Sequence, residues 1–69
     1  MSNFILISDR SNVRTIALNR PEVFNSFTRE MGQQFQQALD AAASDPNVRC
    51  VVITGEGRAF CAGQDLKEV

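Results

Sequence analysis

The sequence predicts an α/β chain: a β-hairpin, one amphipathic helix, a strand apolar on both faces, and the start of a second helix. Three observations predict it. Two short β-rich runs, FILIS (4–8) and VRTIALN (13–19), flank a polar link. Apolar residues then recur at helical spacing from Met31 to Ala42. A nearly continuous β-branched run, VRCVVITG (48–55), follows.

Taken in order, DRSN (9–12) supplies four turn-forming or polar residues between the first two runs, which predicts a hairpin. Asn19-Arg20-Pro21 ends the second strand, because Pro21 has no N–H to give to a ladder. EVFNSF (22–27) reads as an irregular loop with two aromatics. Thr28 is the expected N-cap of the helix, and Glu30 falls in its first turn, where the helix dipole favours an acid. Met31, Phe35, Ala38, Leu39 and Ala42 share one face, and the glutamines at 33, 34, 36 and 37 with Asp40 fall mostly on the other. Pro46 disfavours helical geometry at Asp45, so the helix stops there. The run 48–55, apolar on both faces, predicts a buried strand of a parallel sheet and hence a right-handed βαβ unit. GEGR (55–58) is the turn that leaves it, and a further helix is expected from Gln64.

Such a strand needs cover on both faces, and one full helix cannot supply it. The expected last helix is about one turn long, well under the ~12 residues a helix needs to persist unpacked. Residues 1–69 therefore read as the incomplete N-terminal portion of a larger single domain. A chain of 69 residues is in any case marginal alone, burying only about 60% of its unfolded surface.

Composition narrows the function. Histidine is absent, so there is no imidazole to serve as base or metal ligand. Cys50 and Cys61 have neither CxxC nor zinc spacing and read as reduced, buried small hydrophobes. A net charge of −1 with scattered Lys and Arg argues against nucleic acid as a partner. No apolar run approaches the length of a membrane span, and no signal-peptide pattern opens the chain. The expected setting is cytoplasmic.

The chemistry-bearing stretch is FCAGQDL (60–66), just past the C-terminal end of the last strand, where open α/β sheets place ligands. Ala62 and Gly63 let a ligand approach the backbone closely. A helix beginning at Gln64 would leave its first N–H groups without intrahelical partners, able to stabilise an oxygen that gains negative charge. The alternative is a tight turn followed by a first-turn acid. GEG at 55–57 lacks both the Lys-Ser/Thr of a phosphate loop and the third glycine of a dinucleotide fingerprint, and reads as a turn. Arg20 reads as a phosphate contact or a surface residue, and Phe24 and Phe27 as pocket walls or core.

Two ordered motifs, IALNRPEVFNSFTREM (16–31) and VRCVVITGEGRAFCAGQDLKEV (48–69), resemble the start of the crotonase (enoyl-CoA hydratase/isomerase) superfamily and cover nearly the whole chain. The resemblance implies the N-terminal part of a crotonase-like ββα spiral fold, assembled as trimers or dimers of trimers, with a coenzyme A thioester as substrate and no separate cofactor or metal. It implies that the backbone N–H of Gln64 is one of two oxyanion donors that stabilise a thioester enolate. It further implies contacts to CoA from Glu22, Val23, Phe24, Ala62, Gln64, Asp65, Leu66 and Lys67. Many relatives carry a Lys or Arg where Glu22 stands, and Glu22 cannot take over a phosphate contact. The acid/base groups and the second donor come from later segments in this family. Within it, AGQDL most resembles the ring-1,2-epoxyphenylacetyl-CoA isomerase branch of phenylacetate degradation. Two functions follow as expectations: part of an enoyl-CoA hydratase/isomerase enzyme, or a truncated, non-catalytic piece that serves only in packing or CoA contact.

Overall fold

The structure, a computed structural model, describes residues 3–65. A three-stranded sheet in the order β1-β2-β3 carries one long helix. β1 (Ile5–Arg10) and β2 (Val13–Leu18) pair antiparallel, with Ile5 opposite Leu18 and Arg10 opposite Val13. β3 (Cys50–Gly55) pairs parallel with β2, Ile16 opposite Ile53. Between β2 and β3 run a single 3-10 turn at Pro21–Val23 and α1 (Arg29–Ser44).

The hairpin turn is tighter than the sequence predicts. Asp9 and Arg10 belong to β1, so only Ser11 and Asn12 connect the strands. Both have positive φ, 52° and 67°, as a two-residue turn matched to the twist of its strands requires. Asn12 also receives the Arg49 N–H on its carbonyl and donates from Nδ2 to the Asn47 carbonyl, so the turn is braced by the segment entering β3.

Asp9 extends the strand because it faces Arg14 across the ladder. The Arg14 guanidinium donates to both Asp9 carboxylate oxygens, at 2.8 and 2.9 Å, and to Asp45 at 3.1 Å. Those hydrogen bonds, with the Arg14 charge acting in the same direction against a smaller desolvation effect, hold the Asp9 carboxyl below its ordinary range and raise Arg14. A depressed carboxylate stabilises the fold fully above its unfolded pKa, about 3.9, and loses that contribution as pH falls through the folded value. Asp9→Asn is therefore expected to flatten the acid limb of stability against pH below about pH 4. An acid limb unchanged in D9N would contradict this.

The helix forms where its caps predict. Thr28 is extended and accepts the Met31 N–H on its hydroxyl at 3.2 Å; Asp45 closes the other end in extended geometry. Met31, Ala38 and Ala42 are buried, and with Ile16, Ala17 and Leu18 of the central strand they form the core. Phe27 meets Phe35 of α1 edge-to-face, with ring centroids 5.7 Å apart.

β3 corrects one expectation. It is parallel, as predicted, but it is not buried: Val51, Val52 and Ile53 are 37–44% exposed. Among the described residues β3 is an edge strand, paired on one side only, and a cleft of about 280 Å³ separates Leu39, Ala42 and Ala43 of the helix from Cys50 and Val51 of the strand. Cys50 is consequently exposed and Cys61 half-buried; both are free thiols rather than buried hydrophobes.

Candidate functional site

The site lies where two loops meet beyond the C-terminal ends of the parallel strands β2 and β3. One loop leaves β2 through Arg20-Pro21; the other leaves β3 at Gly55. Their junction is built from backbone and from one asparagine. Asn25 is fully buried. Its Oδ1 accepts the Arg20 N–H at 2.6 Å, while Nδ2 donates to the carbonyls of Glu56 at 2.9 Å and Ala59 at 2.8 Å. Phe24 and Asn25 both have positive φ, 55° and 59°, so the chain turns sharply here to drive the Asn25 side chain inward. Asparagine tolerates that geometry better than most residues, whereas Phe24 must be held in it, by the hydrogen bond from its N–H to the Pro21 carbonyl.

Two residues later the same loop grips the far end of the β3 exit. Phe27 and Gln64 form an isolated parallel bridge: the Phe27 N–H donates to the Gly63 carbonyl at 2.7 Å, and the Asp65 N–H donates to the Phe27 carbonyl at 2.8 Å. In such a bridge the flanking residues make the bonds, so the N–H of Gln64 itself is left over. Among the described residues it donates to no protein acceptor. Its freedom thus has another origin than a helix start, for Gln64 is extended and no helix has begun by Asp65. Gly63 at φ +102° turns the chain into the bridge, with open space where a Cβ would be.

Gln64 and Gly63, with Phe27, Thr28 and Arg29, line a cavity of about 600 Å³. The wall contributed by Thr28 and Arg29 is the N-terminus of a 16-residue helix, where the aligned peptide dipoles place partial positive charge. The cavity is therefore bordered by the Gln64 segment, an aromatic residue and the positive end of a helix.

The other residues implied for CoA contact are placed unequally. Glu22 and Phe24 are exposed on the 3-10 turn and at its end, with Val23 half-buried between them; Ala62 is exposed beside Gly63. Asp65 faces inward: its carboxylate lies 3.4 Å from the Arg20 guanidinium. Leu66 and Lys67 lie outside the described residues. Arg20 turns inward here and is not a surface residue. It donates to the Ser26 carbonyl at 2.7 Å and stacks over the Phe4 ring at 5.6 Å. Sequence reasoning missed Asn25 as the hub. The available signal was an asparagine between two aromatics just after a proline, a place where a left-handed turn is easily made.

The chain matches the enoyl-CoA hydratase/isomerase family over residues 8–69. It is 47% identical over 68 residues to the 1,2-epoxyphenylacetyl-CoA isomerase of Escherichia coli K12, covering 99% of this chain and 26% of that protein. It is 45% identical over 62 residues to the probable enoyl-CoA hydratase EchA14 of Mycobacterium tuberculosis, covering 90% and 24%. Among solved structures, an enoyl-CoA hydratase of Mycobacterium marinum, EchA8_6, superposes with a TM-score of 0.93 at 47% identity, over 96% of this chain and 31% of that one. The chain thus spans about a quarter of the length of the curated relatives it matches. A matching sequence over nearly all its length and a shared arrangement of hairpin, helix and parallel strand lead to one conclusion: this chain belongs to the enoyl-CoA hydratase/isomerase family.

Proposed function

We propose that this chain is the N-terminal portion of an acyl-CoA-transforming enzyme and that the Gln64 backbone N–H donates to the thioester oxygen as it becomes enolate-like. The observation that carries the reading is that Gln64, a residue lining the cavity, has a backbone N–H that donates to no protein acceptor among the described residues. A proton alpha to a thioester is too weakly acidic for a side-chain base unless the oxygen's growing charge is met by fixed donors. A backbone N–H held by a bridge on either side is already in place when that charge develops, so no reorganisation is needed. The positive end of α1 beside it favours the same charge.

Glu22, Val23, Phe24 and Ala62 present accessible backbone and side chains along the two loops for the body of CoA. Asp65, paired with Arg20, serves by holding its own segment in place, and Leu66 and Lys67 would extend the contact. The acid/base groups and the second donor belong to the rest of the enzyme, which acts as a homo-oligomer in the cytoplasm. The 1,2-epoxyphenylacetyl-CoA isomerase likeness makes an aryl-acetyl thioester the first substrate to try.

Titration of isotopically labelled full-length protein with acetyl-CoA tests the reading. The Gln64 amide proton is expected to move downfield on binding, and free CoA, which lacks the carbonyl, is expected to leave it unmoved. An amide that responds equally to both ligands, or to neither, would refute the donor role.

A further inference from the structure

We propose that Asn25 is a positioning residue: its side-chain amide fixes the loop after β3 and thereby sets where the Gln64 N–H stands. The proposal rests on the donor role of Gln64 given above. Asn25 is not exposed at all, yet it spends both donor hydrogens on carbonyls 31 and 34 residues away and its acceptor on Arg20. The result is a clamp with two jaws. The Asn25 side chain holds residues 56–59 at the start of the loop, and the Phe27 backbone holds residues 63–65 at its end.

Between the jaws, residues 60–62 have little to hold them. Phe60 is 57% exposed, Ala62 is exposed, and the Cys61 sulfur accepts the Gly63 N–H at 3.4 Å. Phe27 alone cannot fix the Gln64 amide, since one isolated bridge is free to tilt about its two hydrogen bonds. A second anchor five residues upstream, at Ala59, removes that freedom. Because Asn25 and Phe27 belong to one short loop, both anchors move as one body with the N-cap of α1. The amide, the aromatic wall and the helix end of the cavity are therefore placed together. Asn25 does not itself line the cavity and acts through the loop.

Asn25→Asp isolates the effect. It keeps the oxygen that accepts from Arg20 and the shape of the side chain, but replaces the two-hydrogen donor with an acceptor facing two carbonyls. The measurement is the affinity of the full-length protein for acetyl-CoA relative to free CoA, by calorimetry, with the melting temperature alongside. The carbonyl is the difference between the two ligands that the Gln64 amide can sense. We expect N25D to lower the acetyl-CoA preference about ten-fold, because a shift of about 1 Å is enough to spoil an oriented group. Free CoA affinity is expected to hold. A preference that survives in N25D overturns the proposal and leaves the Gln64 donor intact. Equal loss for both ligands also overturns it, by showing a merely structural residue. A wild-type protein with no preference overturns the donor role, and this inference with it. Should N25D not fold, Asn25→Ser, which keeps one hydroxyl donor and adds no charge, is read by the same criteria with a smaller expected loss.

Discussion

Gly55→Ala is expected to destabilise the fold by about 3–5 kcal/mol, the sum of an overpacked contact and a broken buried hydrogen bond. Gly55 ends β3, and the loop that follows folds straight back over it. A Cβ there would lie 2.8 Å from the Ala59 carbonyl oxygen and from Phe60 Cα, and nearer still to the Phe60 carbonyl oxygen. These are backbone atoms and cannot swing away as a side-chain end would. Retreat of the loop is blocked from the other side, because Asn25 Nδ2 holds the same Ala59 carbonyl at 2.8 Å. Either the new methyl is compressed or the buried amide loses a partner. The melting temperature of the full-length protein should fall by more than about 6 °C.

The same substitution at Gly32 is the control. Gly32 lies within α1, and a Cβ there meets Phe27 Cδ2 at an ordinary 4.0 Å. Removing glycine from a helix interior gains up to about 1 kcal/mol, so Gly32→Ala should raise the melting temperature. Two Gly→Ala changes of opposite sign would show that packing space, and not glycine content, governs. A G55A protein as stable as wild type would mean that the loop does not cover the end of β3.

Gln64→Pro is expected to reduce turnover of the full-length enzyme by about 10²–10³-fold, the usual cost of one oxyanion donor. Gln64→Ala should leave turnover near wild type. The contrast follows from which atom acts. Proline deletes the N–H; alanine deletes the side chain and keeps it. Proline is also tolerable at this position, because Gln64 is extended and its N–H makes neither of the bridge hydrogen bonds. Circular dichroism of Q64P would show that the fold persists. Should Q64A lose as much turnover as Q64P, the side chain would be the acting group and the backbone mechanism would be wrong.

Much of the fold is readable from local chemistry. Thr28 and Pro46 bound α1 because a cap hydroxyl and a ring-locked residue act on their immediate neighbours. The pairing of β1 with β2 follows from two β-rich runs and a polar link. The parallel, two-sided apolar character of β3 is also written in residues 50–55. Its exposure is not, because burial depends on what stands beside a strand, and the edge position is not encoded in those six residues.

The site divides the same way. Small residues after β3 are plain in the residues themselves, and two ordered motifs carry the family. Tertiary structure alone decided how the Gln64 amide is freed. A parallel bridge to Phe27, 37 positions earlier, uses the neighbours of Gln64 and spares Gln64 itself. It also decided that Arg20 turns inward to Ser26 and Asp65, and that Asn25 joins two loops more than 30 residues apart. The physical reason is common to all three. Capping, turn formation and periodicity act within a few residues of chain. A hydrogen bond between distant loops exists only once the sheet has brought the ends of β2 and β3 side by side.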